Sequence, residues 1–496
     1  MHPPLVRVPI GIALGLWAAA SLMSAKEAGT RAEPPVIPVE WLRASPAEAQ
    51  AAAIEKGAER HGWPAMAGAL RSGALGAYDR GDLANAEAWA AAASWAEMWA
   101  STEADEARRW SEAREGAGEP PHAASTPGAP ESRLAARLSE AQRVLFLADA
   151  AWSAEVFALL DPLDRRGEVL SLLGRLQARD PAIFAEFKAL ALAVAVVHDE
   201  PPPGDWPHWQ VTPQALPRRL AAAEEVFDHL AGFSRSGKAL WRADRLDAAE
   251  LRFAVDLALP AEERVWALER ARRPLPRLAE LYSMIKYRHD RIEAGAYVWT
   301  APGYRLEDIL RLGGICVDQA YFASQAGKAH GAPTLLFFGA GREGRHAWFG
   351  YLGAGRKWLM DAGRDESQNY VTGVAHDPQT WTEISDHELQ FLGEGFRREQ
   401  PAREARAHAR FAAWLRADGR TREAEAAARA ATRLERRTLA AWDELLALRP
   451  EPGEAREAVA REAAAGLTRY PDLQARYLGV AAESLRARGE TAEADR

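Results

Sequence analysis

The only cysteine of the chain, Cys316, lies upstream of two residues with which it could form a thiol nucleophile site, His346 and Asp361. A thiolate can attack a carbonyl carbon, and an imidazole can take up the thiol proton and return it to a leaving group. A carboxylate can fix the tautomer and the orientation of that imidazole. Together, the three residue types predict acyl-transfer chemistry through a thioester.

The residues around Cys316 predict that it lies in the first turn of a helix. Gly313 and Gly314 precede it, and small apolar residues then recur at helical spacing. Gly331 and Pro333 mark the end of this helix. Unpaired amides and the macrodipole at a helix N-terminus favour an anion, so the pKa of the thiol is expected to fall from about 8.5 towards about 3.5 to 7.5.

Beyond Pro333 the apolar residues follow the pattern of β-strands. Glycine-rich turns separate them, and the first turn, Gly339 to Gly344, lacks the Lys and the Ser or Thr of a phosphate-binding loop. The predicted strands are Thr334 to Phe338, His346 to Leu352 and Lys357 to Ala362.

The pairing of the second and third predicted strands decides whether the imidazole and the carboxylate meet. The expected pairing is Leu352 with Lys357. His346 then faces Gly363, and Asp361 becomes its diagonal neighbour on the same face of the sheet. We therefore expect the carboxylate to fix the imidazole, and the imidazole to deprotonate the thiol or to form an ion pair with it.

A helix-borne Cys, a strand-borne His and an Asp on the next strand occur here in an order that resembles the transglutaminase-like superfamily, a branch of the papain-like thiol enzymes. The resemblance implies a nucleophile at Cys316, a base at His346 and an orienting carboxylate at Asp361. Four blocks carry it, in family-like order and spacing: Gly314 to Ala320, Gly331 to Thr334, His346 to Trp348 and Trp358 to Asp361.

The resemblance also implies groups around the reacting carbonyl. Members of the superfamily generally supply an oxyanion donor from a polar or aromatic side chain upstream of the cysteine. The candidates here are Tyr297, Trp299 and Tyr304, and the sequence does not choose between them. Trp348 is a further candidate for the lining of the substrate site. The backbone amide of Cys316 is an oxyanion donor that needs no particular side chain.

The predicted fold class is mainly α with a small α+β core, in which a transglutaminase-like (papain-like) domain lies between helical segments. Residues 78–87, 241–250 and 414–424 each contain an aromatic residue, a short polar turn and an Ala- and Glu-rich segment. This pattern resembles tetratricopeptide-type helical hairpins. Because the spacing between the three places is irregular, we expect isolated hairpins and no continuous superhelix.

The composition of the chain marks its domain boundaries. A Pro-, Gly- and Ser-rich stretch, residues 115–132, is typical of a flexible linker. The predicted domains are an export signal or anchor at 1–25, a helical region with this linker at 26–275, a catalytic core at 276–398 and a tetratricopeptide-like end domain at 399–496.

The amino terminus indicates export. Its apolar run, residues 8–23, is shorter than the roughly 20 residues that a transmembrane helix needs, so an export signal is favoured, with cleavage after Ser21 or Ala25. Retention of residues 8–23 as a membrane anchor is the alternative. Export would place the chain in the periplasm or another extracytoplasmic compartment, where its single thiol cannot form an internal disulfide.

Charge and composition also limit the partners. The formal net charge of -8 argues against nucleic acid, because phosphate binding needs a basic face. The His- and acid-containing stretches 376–378 and 386–388 lack the spacing of a metal site, so neither a metal nor a cofactor is expected. The expected partners are a protein or peptide substrate and a protein held by the helical segments.

Three functional hypotheses follow. The first is an exported thiol enzyme that acts on peptide or carboxamide bonds, with hydrolysis favoured over amine cross-linking because water is abundant outside the cytoplasm. The second is a non-catalytic helical-repeat binding protein with a degenerate transglutaminase-like scaffold. The third is a membrane-tethered assembly factor, which requires the apolar amino terminus to be retained.

Overall fold

The structure is a computed structural model that describes residues 35–118, 129–216, 219–341, 344–364 and 371–496. The predicted leader at 1–25 and the central part of the predicted linker at 115–132 lie outside these residues. Helices dominate the described chain, and it contains one antiparallel sheet of five strands. The predicted mainly helical class with a small sheet is confirmed. None of the described helices combines the length and the apolarity that a bilayer crossing requires.

Twenty-three α-helices account for most of the described chain. Helices α1 to α12 are Glu48–His61, Trp63–Asp79, Leu83–Ala100, Glu103–Ala117, Glu140–Ala148, Ala150–Leu159, Arg166–Arg179, Pro181–Glu186, Lys188–Val197, Ala223–Arg235, Ala248–Val255 and Ala261–Arg270. Helices α13 to α23 are Glu280–Ser283, His289–Glu293, Leu306–Leu312, Cys316–Ala329, Asp386–Gly393, Gln400–Ala417, Thr421–Leu434, Leu439–Ala447, Glu454–Ala465, Pro471–Ala487 and Thr491–Ala494.

The described residues divide into two compact units. One contains residues 35–97, 113–118 and 394–496, and the other contains residues 98–112 and the described residues from 129 to 393. The first unit therefore joins helices from both ends of the described chain. The second unit contains the sheet, α16 and the site residues.

Two of the three predicted hairpin turns separate consecutive helices of the first unit. The chain turns between α2 and α3 at Gly81 and between α18 and α19 at Gly419, and both glycines adopt the left-handed conformation, with φ of 78° and 74°. The ring of Tyr78, at the end of α2, stacks on Phe411 of α18 at 4.3 Å. At 241–250, in the second unit, a short 3-10 turn leads into α11 instead.

The five strands have the order β3-β2-β1-β4-β5 in the sheet. The predicted strands correspond to β1 to β3. The last two strands were not predicted, because segments of three residues are too short to show an alternating pattern. Helix α16 packs on β1 and β2. The strands are β1 Thr334–Gly341, β2 Gly344–Gly353, β3 Lys357–Ala362, β4 Val374–His376 and β5 Glu383–Ser385.

The predicted register between β2 and β3 is wrong by one residue at the hairpin. Leu352 pairs with Trp358 instead of Lys357, and an irregularity further along places Phe349 opposite Ala362. Beyond the irregularity the offset is two residues, because the predicted pairing would place Phe349 opposite Met360. The predicted pairing of Asp361 with Trp348 is therefore wrong.

The turn between β2 and β3 is one residue shorter than predicted, since Gly353 pairs with Lys357. Arg356 adopts a left-handed conformation there with φ of 58°, which is uncommon for a residue with a Cβ. Its guanidinium is held by Asp247, at 2.7 Å, and by Glu250. A contact with residues more than a hundred positions away thus fixes a tighter turn than the sequence suggests.

Candidate functional site

Two glycines fix the start of α16, where Cys316 lies. Gly313 has φ of 74°, and a Cβ on it would lie 2.6 Å from the carbonyl oxygen of Lys286. A Cβ on Gly314 would lie 2.3 Å from the Cβ of Asp318. Both distances are shorter than real Cβ contacts allow, so only glycine fits at positions 313 and 314. The predicted helix, with Cys316 in its first turn, is confirmed.

A buried carboxylate, Asp318, fastens this helix start. Its Oδ2 accepts hydrogen bonds from the Ile315 backbone N–H at 2.8 Å and from Arg291 Nη1 at 2.7 Å. Its Oδ1 accepts a hydrogen bond from the Tyr304 hydroxyl at 2.7 Å, and that hydroxyl also contacts His208 Nε2 at 3.0 Å. This network was not predicted from the sequence. Its only local signal is an acidic residue three positions after a helix N-cap.

The Cys316 thiol lies in a largely apolar environment. It packs against the apolar cluster that contains Ile315, Val317 and Ala347, and the partly buried ring of Tyr282 packs against the same cluster. Burial raises the pKa of the thiol, the Asp318 carboxylate raises it further, and the backbone N–H groups of Ala347 and Val317 act in the opposite direction without overcoming burial. The predicted lowering of the thiol pKa is therefore wrong. Desolvation outweighs the helix N-terminus.

The His346 imidazole is partly buried and has a defined backbone partner. Its Nε2 lies 2.6 Å from the carbonyl oxygen of Gly363. A carbonyl oxygen can only accept, so Nε2 donates in this bond and the neutral ring has Nδ1 as its acceptor. The ring lies nearly parallel to the ring of Trp348, at 24°, with the centroids 6.1 Å apart.

Asp361 is not the partner of His346 in this structure. Its side chain is 71% exposed and forms an ion pair with Arg364 Nη1 at 2.7 Å. The register of β2 and β3 explains the difference from the prediction, because it turns Asp361 towards solvent. The Gly363 carbonyl occupies the place on the imidazole that the sequence analysis assigned to the Asp361 carboxylate.

The thiol and the imidazole both lie beside the first residues of β2. The backbone N–H of Ala347 faces the sulfur of Cys316, and the His346 ring lies beside the ring of Trp348. No hydrogen bond joins the side chains of Cys316 and His346, both of which lie in the described part of the chain. The residue beside the sulfur, Ala347, directly follows His346 in the chain.

The proposed oxyanion donors and the lining residue differ in their surroundings. The Tyr304 hydroxyl is buried and donates to Asp318, and the buried indole N–H of Trp299 donates to the Gly303 carbonyl at 2.9 Å. Neither donor is therefore available to a substrate. The Trp348 side chain is fully buried in the core of the sheet and does not line an open cleft, whereas Tyr297 is 47% exposed.

No protein family model, curated protein or solved structure matches this chain. A function for the site is therefore inferred from its own residues and contacts.

Tyr282 of α13 contacts both sides of the site and was not identified from the sequence. Its hydroxyl donates to the carbonyl oxygen of Ala347 at 2.9 Å. Its ring lies against Gly363, so that a Cβ on Gly363 would be 2.5 Å from the ring atoms. These contacts join residues 65 or more positions apart, and no local pattern signals them.

The described residues contain no group of three or more His, Cys, Asp or Glu side chains arranged to hold a metal ion. In the His- and acid-containing stretches, Asp377 instead pairs with Arg252 at 3.1 Å. Asp386 pairs with Arg364 at 3.3 Å.

Proposed function

We propose that this chain is a thiol-dependent acyl-transfer enzyme that acts on peptide or carboxamide bonds, with Cys316 as nucleophile and His346 as base. One observation carries the proposal. The thiol, in the first turn of α16, packs against Ala347, the residue directly after His346. The order of the cysteine helix and the antiparallel strands, and the packing of α16 on β1 and β2, support a transglutaminase-like core.

The raised pKa of the thiol defines how the reaction would begin. Cys316 rests as a neutral thiol, because burial disfavours the thiolate. His346 therefore acts as a general base during attack, and the carbonyl of Gly363 keeps its Nδ1 as the proton acceptor. Sulfur bonds to the acyl carbon as its proton passes to the imidazole. The imidazolium then donates this proton to the leaving amine.

The first turn of α16 would stabilise the tetrahedral intermediate. Backbone N–H groups at the start of a helix have no partner within the helix, so those of Cys316 and Val317 can donate to an oxyanion. The acyl group of the thioester then passes to water or to an amine, and cleavage of the C–S bond releases the Cys316 thiol. We favour water, which makes the enzyme a protease or amidase, because the proposed export leader would deliver the chain to an aqueous compartment.

A second candidate, a non-catalytic binding protein, is favoured by specific observations. The thiol pKa is raised, no hydrogen bond joins Cys316 and His346, and Asp361 is exposed. An inert scaffold would have the same features, and the helices of the first unit would then hold a protein partner. Catalytic hydrogen bonds are often long or absent before substrate binds, so these observations alone do not decide between the candidates.

A chromogenic ester separates the two. The full chain is incubated with p-nitrophenyl acetate, the release of nitrophenol is followed, and the acetylated residue is located by mass spectrometry. The enzyme acetylates at Cys316 and releases acetate repeatedly, and His346→Ala slows turnover by about 10²-fold or more. His387→Ala, which removes a more exposed histidine, is the matched control. A single stable acetylation that is unchanged in His346→Ala identifies the scaffold.

A further inference from the structure

We propose that Tyr282 is a positioning residue that holds the cysteine side and the histidine side of this site in one arrangement. The inference rests on the proposed function, because it assigns a role within that same site. Tyr282 lies in α13, upstream of α16 and of all the strands, and belongs to none of the sequence blocks that suggested the site.

On the cysteine side, Tyr282 acts through Ala347. The hydroxyl donates to the Ala347 carbonyl oxygen at 2.9 Å, and the backbone N–H of the same residue faces the sulfur of Cys316. The tyrosine thus restrains the strand residue that contacts the thiol. Its partly buried ring packs in the same apolar cluster as Cys316, so it also helps to exclude water from the sulfur.

On the histidine side, Tyr282 acts through Gly363. This glycine has φ of 87°, and a Cβ there would lie 2.5 Å from the tyrosine ring. The ring therefore occupies the space that a side chain at position 363 would need, and it limits where the Gly363 peptide can move. The carbonyl of Gly363 is the group that accepts from His346 Nε2. Restraint of this carbonyl fixes the orientation of the imidazole.

The two contacts belong to different parts of Tyr282, which allows them to be separated. The hydroxyl supports Ala347, and the ring supports Gly363. Tyr282→Phe keeps the ring and removes only the hydroxyl. Its first effect should be on the thiol, since the Ala347 N–H, which favours the thiolate, is then less well held.

Alkylation of Cys316 by iodoacetamide, measured as a rate across pH, tests this role in the full chain. We expect Tyr282→Phe to move the thiol titration to higher pH and to slow alkylation at a fixed pH by about 3- to 10-fold, the range of one hydrogen bond of ordinary net strength. Tyr351→Phe is the matched control. Tyr351 lies on β2, and its oxygen accepts from the Ala279 backbone N–H, so Tyr351→Phe also loses one bond to backbone.

The outcomes separate this inference from the proposed function. A shift in Tyr282→Phe that Tyr351→Phe does not show supports the positioning role. A Tyr282→Phe profile that superimposes on the wild type, or an equal shift in both variants, overturns it. The proposed function is judged by His346→Ala in the ester assay and fails if turnover does not change. Tyr282→Ala, which removes the ring as well, tests the histidine side: nitrogen NMR should show redistributed tautomers of His346, and tautomers unchanged from the wild type would overturn the role of the ring.

Discussion

The His346 imidazole donates from Nε2 to the carbonyl oxygen of Gly363 at 2.6 Å, a place where a thiol enzyme of the Cys-His-Asp type would have a carboxylate. A carbonyl fixes the tautomer as a carboxylate does, because it accepts only from a ring N–H. It carries no full charge, however, and stabilises an imidazolium less. In the proposed enzyme, a backbone carbonyl therefore orients His346 in place of a carboxylate.

Asp361 should therefore contribute little to the chemistry. Asp361→Asn removes an exposed ion pair with Arg364, which is worth about 0 to 1 kcal/mol of unfolding free energy. We expect ester turnover to stay within about 3-fold of the wild type, because no hydrogen bond to the imidazole is lost. Steady-state kinetics of this variant beside His346→Ala provide the check. A loss of ester turnover of about 10²-fold or more would instead show that Asp361 takes part in a catalytic triad.

Gly363 should be intolerant of a side chain for two reasons. Gly363→Ala places a Cβ at a left-handed φ of 87° and against the ring of Tyr282. The left-handed backbone conformation alone lowers the free energy of unfolding by about 1 to 2 kcal/mol when the residue carries a Cβ. The contact with the ring lowers it further and displaces the carbonyl that accepts from His346.

Gly355→Ala is the control for Gly363→Ala, since Gly355 has φ of 74° but open space around it. Denaturant unfolding should show a larger loss for Gly363→Ala than for Gly355→Ala, and ester turnover should fall only in the former. Equal losses of stability with unchanged turnover would show that Gly363 does not orient the imidazole.

Tyr304 should act through stability and not as an oxyanion donor. Tyr304→Phe leaves buried Asp318 and His208 each without one hydrogen bond, which costs about 1 to 3 kcal/mol of unfolding free energy. Loss of an oxyanion donor would instead slow acylation by about 10²- to 10³-fold. We expect the stability loss in denaturant unfolding and an acylation rate within about 3-fold of the wild type. Slower acylation with unchanged stability would contradict the structure.

Stability should fall in mild acid because of His198. Burial lowers the pKa of His198 to about 4 from an ordinary value of 6.5, and its Nε2 is bonded to the Val255 carbonyl. Between these pH values the unfolded chain binds a proton that the folded chain does not. The contribution of His198 to the free energy of unfolding is therefore complete above pH 6.5. It falls by about 1 to 3 kcal/mol as the pH decreases towards 4.

His198→Gln isolates this contribution, because glutamine can donate to the same carbonyl and does not titrate. The difference in unfolding free energy between wild type and variant should change with pH over this window and be constant above it. A difference that is independent of pH would exclude His198 as the titrating group, since the remaining groups titrate alike in both chains.

Local sequence signals predicted those parts of the site that local geometry sets. Gly313, Gly314 and Gly331 bracket α16, and β3 was predicted with the residues the structure gives it. Glycine and proline act on their immediate neighbours, so their effect can be recognised without knowing the tertiary fold.

The features that sequence analysis missed depend on distant residues. The β2–β3 turn is held by the ion pairs of Arg356 with Asp247 and Glu250, and the raised thiol pKa follows from packing against other elements. Tyr282 approaches Ala347 only after α13 and β2 have packed. None of these contacts leaves a periodic or adjacent pattern in the chain.

The pairing of Cys316 with His346 is the central claim, and the pH dependence of Cys316 alkylation by iodoacetamide tests it most directly. In the wild type we expect alkylation at pH values below the pKa of the isolated thiol, because the imidazole takes the proton as sulfur attacks. We expect His346→Ala to lose this low-pH reaction and to be alkylated only at high pH. Superimposed profiles for the wild type and His346→Ala, both governed by one raised thiol pKa, would contradict the account.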